Sequence, residues 1–128
     1  MLDITSQLIE EIGSRESDDP FIQEVMVYLS LHISEKIRLD VLCIQFATNR
    51  TTLNQRFRKV TGLTVMEYLL EKRISLAKSD LAFTDLPVAE IAERVGIPEP
   101  TYFGRVFLKK VGCTPLTFRR KSREQRPA

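Results

Sequence analysis

Apolar residues recur along this chain at intervals of three and four, and the polar runs between them carry the punctuation of helix ends. Phe21, Val25, Tyr28 and Leu29 share one side of a helix that opens at Asp19 and Pro20 and runs to about residue 33. An acidic cap followed by a first-turn proline is a favourable start. His32 lies on the same side and, as the sole histidine, reads as a helix-face residue rather than a metal ligand. Further helices are predicted over about 39–46, 50–60, 65–82, 87–95 and 100–110, with a short one near 115–120. No stretch alternates with period two over a strand's length, and no Asn-Gly or Asp-Gly hairpin signal occurs. The expected fold class is all-α. Ahead of it, Leu8, Ile9 and Ile12 mark a possible short helix that runs into a polar linker over residues 13–19.

An internal repeat organises these helices. A shift of fifty residues places Thr51 on Thr101, Leu53 on Phe103, Phe57 on Phe107, Lys59 on Lys109, Gly62 on Gly112, Thr64 on Thr114 and Tyr68 on Phe118. Upstream the shift is forty-nine: Leu42 meets Ile91, Phe46 meets Val95 and Ala47 meets Gly96, so the second copy has one added residue in its turn. Each copy reads as a short helix, a tight turn at a small residue, a longer helix and a glycine stop, which is the outline of a helix-turn-helix. The chain then divides into a leader over 1–19, a first unit over 20–63, a linker helix over 64–82, a second unit over 83–120 and a basic tail over 121–128. The two units are expected to be homeodomain-like three-helix subdomains joined by the long linker helix.

At about 100° per residue, Leu53, Phe57 and Val60 fall on one stripe of the first long helix. Thr51, Asn54, Gln55 and Arg58 fall opposite, with Arg50 and Arg56 on the flanks. Hydroxyl and amide groups beside an arginine suit the donors, acceptors and thymine methyls of a major groove, while flanking arginines suit phosphates. A solvated face would look the same for one helix alone. In the second copy Phe103 and Phe107 form the apolar stripe, and Thr101, Gly104, Arg105 and Leu108 face outward. Gly104 fits either close approach to DNA or close packing. Leu108 stands where the first copy has Arg58, so one contact of the first unit is expected to be missing. Between the copies, Thr64 to Glu67 is a capping box with Leu63 and Tyr68 as a hydrophobic staple. About nineteen helical residues span roughly 28 Å, near the roughly 34 Å of one DNA turn, so two recognition helices are expected in successive major grooves.

Charge sharpens this picture. Residues 1–40 hold three basic and nine acidic residues, a balance of −6, whereas residues 41–128 hold sixteen basic and eight acidic, a balance of +8. The basic part is the candidate for a polyanionic partner. Cys43 and Cys113 are too few for a disulfide framework and lack partners at zinc-ligand spacing, so they read as small hydrophobes of a reducing cytoplasm. No apolar run approaches the roughly 18 residues of a membrane span, and no signal-peptide pattern opens the chain.

Over about residues 36–120 the chain resembles the DNA-binding domain of the AraC/XylS family of transcriptional regulators. The resemblance is carried by Leu53, Phe57, Thr61-Gly62, Tyr68-Leu69, Arg73-Ile74, Ala77, Leu81, the run from Ala89 to Ala92, Gly96, Tyr102-Phe103, Arg105, Phe107, Gly112, Pro115 and Phe118-Arg119. It implies base readers Thr51, Asn54 and Gln55 in the first recognition helix and Thr101, Tyr102 and Arg105 in the second; Arg50 and Arg58, placed by the helical angles, and Lys109 complete the expected DNA-binding set. The helical angles agree except at Tyr102, which they place off the DNA face as a packing residue. Three departures stand out. Ala47 replaces the usual turn glycine, Pro98 stands where the family usually has a capping residue, and Pro100 follows within the first turn. The prolines remove backbone N–H groups that could anchor phosphate, so the second unit should depend more on Arg105 and Lys109. The resemblance implies duplex DNA as partner, RNA polymerase as a second partner of an activator, no cofactor, and a small-molecule effector acting only through an upstream domain. The acidic leader reads like the tail of such a domain. Two other functions compete. A DNA-repair alkyltransferase would need a cysteine cluster or adjacent histidine that neither Cys43 nor Cys113 has, so no enzyme is expected. A protein-interaction module with degenerate DNA contacts would account for Leu108 and the two prolines.

Overall fold

The computed structural model describes residues 19–125. Among them are seven α-helices and no strand: α1 (Pro20–Leu31), α2 (Leu39–Gln45), α3 (Arg50–Thr61), α4 (Val65–Phe83), α5 (Val88–Arg94), α6 (Pro100–Val111) and α7 (Pro115–Glu124). The expected leader helix around Leu8, Ile9 and Ile12 lies outside the described residues. The chain forms two compact units, one from residues up to Leu31 with Ile37–Tyr68, the other from His32–Lys36 with Leu69 onward.

In the first unit Ile22, Val25 and Leu29 of α1 are buried with Leu42 and Cys43 of α2, Leu53 and Phe57 of α3, and Val65 at the start of α4. Phe46 forms T-shaped pairs with Phe21 and Tyr28, with ring centroids 6.1 and 5.8 Å away. Asp19 begins α1 as expected, its Oδ1 accepting from the Ile22 N–H at 3.5 Å. Helix α1 ends at Leu31, short of the expected residue 33, and His32 meets Glu35 at 2.8 Å in the turn that follows.

The second unit buries Ile74, Ala77 and Leu81 of α4, Ile91 and Ala92 of α5, Val95 and Ile97 of the turn, and Phe103 and Phe107 of α6. A shift of fifty-two maps Ile22, Val25 and Leu29 onto Ile74, Ala77 and Leu81, so the later part of α4 is the counterpart of α1. The linker helix is thereby also the first helix of the second unit. Helix α7 continues four residues beyond the expected stop at 120. Arg119 donates to the carbonyls of Leu81, Thr84 and Leu86, and Arg123 donates to that of Thr84, which ties its last turns down and satisfies acceptors left over at the end of α4.

The hydrogen bonds repeat as well as the side chains. Ala47 N–H donates to Ile44 and Thr48 N–H to Cys43, at 3.1 and 2.9 Å; Gly96 and Ile97 donate to Glu93 and Ala92 at the same distances. Gly62 and Gly112 close α3 and α6 in the left-handed conformation, with φ of 83° and 98°. Thr64 and Glu67 exchange the two bonds of the capping box, at 3.0 and 3.2 Å. Thr114 caps α7 in the equivalent place. The edge-on pair Phe57–Tyr68 is matched by Phe107–Phe118.

Candidate nucleic-acid interface

In each unit the buried aromatic stripe fixes which side of the recognition helix faces out. Leu53 and Phe57 are fully buried in α3, and Phe103 and Phe107 in α6. On the opposite side Arg50, Thr51, Gln55 and Arg58 of α3 are exposed, as are Thr101, Tyr102, Arg105 and Lys109 of α6. Tyr102 is 48% exposed, so the packing role suggested by its helical angle is not what the structure gives it.

The arginines sort into two groups. Arg38 bonds Asp40, Arg73 bonds the Ile33 and Glu35 carbonyls, Arg94 bonds Asp80, Arg119 and Arg123 bond carbonyls around the end of α4, and Arg120 lies 3.7 Å from Glu124. Arg50, Arg58 and Arg105 engage no side-chain hydrogen bond or ion pair among the described residues, and neither does Lys109. Among the arginines of the described residues, those left without an internal partner lie on the outward faces of α3 and α6.

Two expectations are corrected, and a third residue gains a second role. Arg56 does not flank the outward face of α3 as a phosphate contact. Its guanidinium donates two bonds to Asp19, at 2.9 and 2.6 Å, and lies 4.5 Å from the Phe21 ring centroid, because the start of α1 brings a carboxylate and an aromatic face beside it. These bonds hold the Asp19 carboxyl below the usual carboxylate range. Asn54 is half-buried, and its Oδ1 accepts from the Val65 N–H at 3.1 Å, one of the orphan donors at the start of α4. Its amide is therefore part of the unit's framework as well as a neighbour of the outward face. Pro98 does not hold the cap position. It is the added residue of the second turn, and the cap is Glu99, whose carboxylate accepts from the N–H groups of Tyr102 at 2.7 Å and Thr101 at 3.4 Å.

Glu99 is the functional residue that the sequence reading missed. The fifty-residue shift sets it on Asn49, whose side chain caps α3 through the Thr52 N–H at 2.9 Å, so the signal was present in the repeat. Gly104 has open space around it: a methyl group there would meet nothing within 4 Å, which removes close packing as its reason.

Ala47 adopts φ 54°, as its place in the turn requires, against 88° for Gly96. Only the second turn is crowded. A methyl group at Gly96 would collide with the Ile33 carbonyl oxygen and the Arg73 guanidinium. Burial lowers the Arg73 pKa from its ordinary value, and its two carbonyl acceptors offset that burial.

Cys43 is buried, Cys113 is half-buried, and both are free thiols. Among the described residues no group of three or more His, Cys, Asp or Glu side chains is placed to hold a metal ion, and no helix is long and apolar enough to cross a membrane.

Residues 42–121, from α2 into α7, match the family described as helix-turn-helix domain. The chain is similar to the HTH-type transcriptional activator RhaR of Enterobacter sp. (strain 638), being 33% identical over 111 residues, or 87% of this chain and 39% of that activator. It is similar to the regulatory protein SoxS of Escherichia coli (strain K12), 29% identical over 105 residues that cover 82% of this chain and 98% of SoxS. Among solved structures it is similar to the DNA-binding domain of AdpA, a global transcriptional factor, in complex with a target DNA. The identity there is 29% and the TM-score 0.78, covering 85% of this chain and 97% of that one. The chain spans 39% of RhaR, well under two thirds of its length. It belongs to the helix-turn-helix family of AraC-type DNA-binding domains.

Proposed function

We propose that this chain reads duplex DNA by sequence as part of a cytoplasmic transcriptional regulator, an activator, with α3 and α6 each entering a major groove. One observation carries the reading: every arginine on the described surface is internally partnered except Arg50, Arg58 and Arg105 of the two recognition helices. An unpaired guanidinium among arginines that are otherwise held internally is available to an external anion or a base edge. In this reading Thr51, Asn54 and Gln55 read bases in one groove, with Arg50 and Arg58 on the strand. Thr101, Tyr102 and Arg105 read bases in the other, with Lys109 on phosphate. The chemistry is binding, with no enzymatic step.

Selection from random duplexes, followed by titration of the selected site at two salt concentrations, tests this. Affinity should fall with salt at a log–log slope of about 0.9 per phosphate neutralised. Arg105→Ala should cost about 1–3 kcal/mol and relax preference at one base pair. Inserting a half-turn of about five base pairs between the two halves of the site tests whether they occupy successive grooves. Equal affinity for all duplexes would replace this reading with a protein-interaction module of degenerate DNA contacts.

RNA polymerase is the proposed second partner, supported by the activator role of RhaR, and a small-molecule effector is assigned to a domain outside the present sequence, supported by the greater part of RhaR lying outside the match. Transcription from a promoter carrying the selected site, with purified polymerase, tests the first of these.

A further inference from the structure

Residues 101, 105, 108 and 112 recur at helical spacing along the outward side of α6, as 51, 55, 58 and 62 do along α3. The two stripes differ in chemistry. That of α3 reads Thr51, Gln55, Arg58, Gly62, while that of α6 reads Thr101, Arg105, Leu108, Gly112. Leu108 is 46% exposed and is the one large apolar side chain of that stripe. One turn before it, Gly104 leaves open space where a side chain would stand. Leu108 stands one turn after Gly104 and three residues after Arg105, so Leu108 and Arg105 share the outward side of α6 next to that open space. An apolar group at hand next to an unpaired guanidinium matches a major-groove edge that offers a methyl group next to acceptors.

We infer that Leu108 reads the 5-methyl group of a thymine in the groove entered by α6, beside the base pair met by Arg105. This rests on the DNA-reading function proposed above and adds the base type that the second unit selects. It makes the two halves of the site chemically unlike, since the residue at the corresponding place in the first unit is the charged Arg58.

The test uses the whole chain and a duplex selected from random sequence. Each thymine in the half-site assigned by Arg105→Ala is replaced in turn by deoxyuridine, which removes only the methyl group. The wild type should lose about fourfold in affinity at one position, the worth of one buried methyl group. Leu108→Ala should lose a similar factor on the unmodified duplex and lose nothing further on the uracil duplex. Leu108→Arg, which restores the residue of the first unit, should gain affinity on all duplexes and cease to distinguish thymine from uracil. A selected site at which every thymine tolerates uracil overturns the inference and leaves DNA reading intact. So does a Leu108→Ala protein that binds every duplex as the wild type does, which would direct Leu108 to a protein partner instead. Failure to select any preferred duplex overturns both readings.

Discussion

The two turns of the helix-turn-helix units hold the same backbone bonds but tolerate opposite substitutions, and Gly96→Ala measures the difference. A residue with a Cβ in the left-handed region costs about 1–2 kcal/mol. At Gly96 the added methyl group also meets the Ile33 carbonyl and the Arg73 guanidinium, so Arg73 must withdraw from a bond of 3.1 Å. Losing a hydrogen bond from a charged donor adds about 1.5–3 kcal/mol, for a total of about 2.5–5 kcal/mol. Ala47→Gly should act the other way. It relieves the strain at φ 54° and gives back roughly 0.5–1 kcal/mol in chain entropy, leaving about 0.5–1 kcal/mol of stabilisation. Urea unfolding followed by far-UV circular dichroism gives both values, and Gly96→Ala repeated in an Arg73→Ala background isolates the guanidinium's share. A Gly96→Ala protein within 1 kcal/mol of the wild type would refute the reasoning. So would a cost unchanged when Arg73 is removed, since the collision would then not involve it.

Asn54→Ala should destabilise the chain by about 1–2 kcal/mol, because the Val65 N–H loses its acceptor. Asn54→Asp, which keeps that oxygen, should restore most of the loss in the same urea titration. A residue serving DNA alone would leave stability unchanged in both. Glu99→Gln keeps an acceptor at the start of α6 but removes a negative charge from beside the proposed DNA face, so affinity for every duplex should rise by a factor of a few without a change in preferred sequence. Fluorescence anisotropy with matched and mismatched duplexes reads this directly. Asp19→Asn should be less stable than the wild type at neutral pH, where the carboxylate holds Arg56. Because the folded-state pKa of Asp19 is depressed, the wild type's advantage is present above the unfolded value of about 3.9 and is lost as pH falls through the lower folded value. Unfolding midpoints measured from pH 7 down to pH 2 should therefore converge for the two proteins, and a gap that persists at the acid end would exclude the ion pair as its cause.

The helices and their order were legible because burial imposes a periodic pattern, and the repeat made the turn at Ala47 and Gly96 visible without coordinates. Cores speak through residue type: Leu53, Phe57, Phe103 and Phe107 were assigned to the inside and are fully buried. The partnership of polar groups was not legible, because it depends on what the chain brings alongside. Arg56 and Arg58 are two residues apart with the same chemistry, yet only Arg56 finds Asp19, thirty-seven residues earlier. The extent of α7 was hidden for the same reason. A run of basic residues reads as a solvated tail until Arg119 and Arg123 are seen to reach the carbonyls around the end of α4. The second role of α4 went unread because its apolar stripe matches α1 at a shift of fifty-two, outside the register of the rest of the repeat.

The two units also solve one local problem in two ways, and the solutions bear on what each can read. In the first, the N–H of Val65 needs an acceptor and Asn54 supplies it. In the second, the equivalent residues are Pro115, which has no N–H to satisfy, and Gly104, which has no side chain to offer. Donor and acceptor are absent together, so no orphan is left, and α6 gains an unobstructed surface where α3 carries a fixed amide. That fixation has a direction. Since Val65 can only donate, the Asn54 oxygen must face it, which turns the amide nitrogen the other way. Bidentate recognition of adenine requires both atoms of an amide toward the base edge, and Asn54 can present chiefly its donor. The expected preference at its position is a base with major-groove acceptors alone, guanine or the thymine carbonyl. On the proposed reading, the first unit would add to its free side chains one group held by its own fold, whereas the outward face of α6 has no such fixed amide.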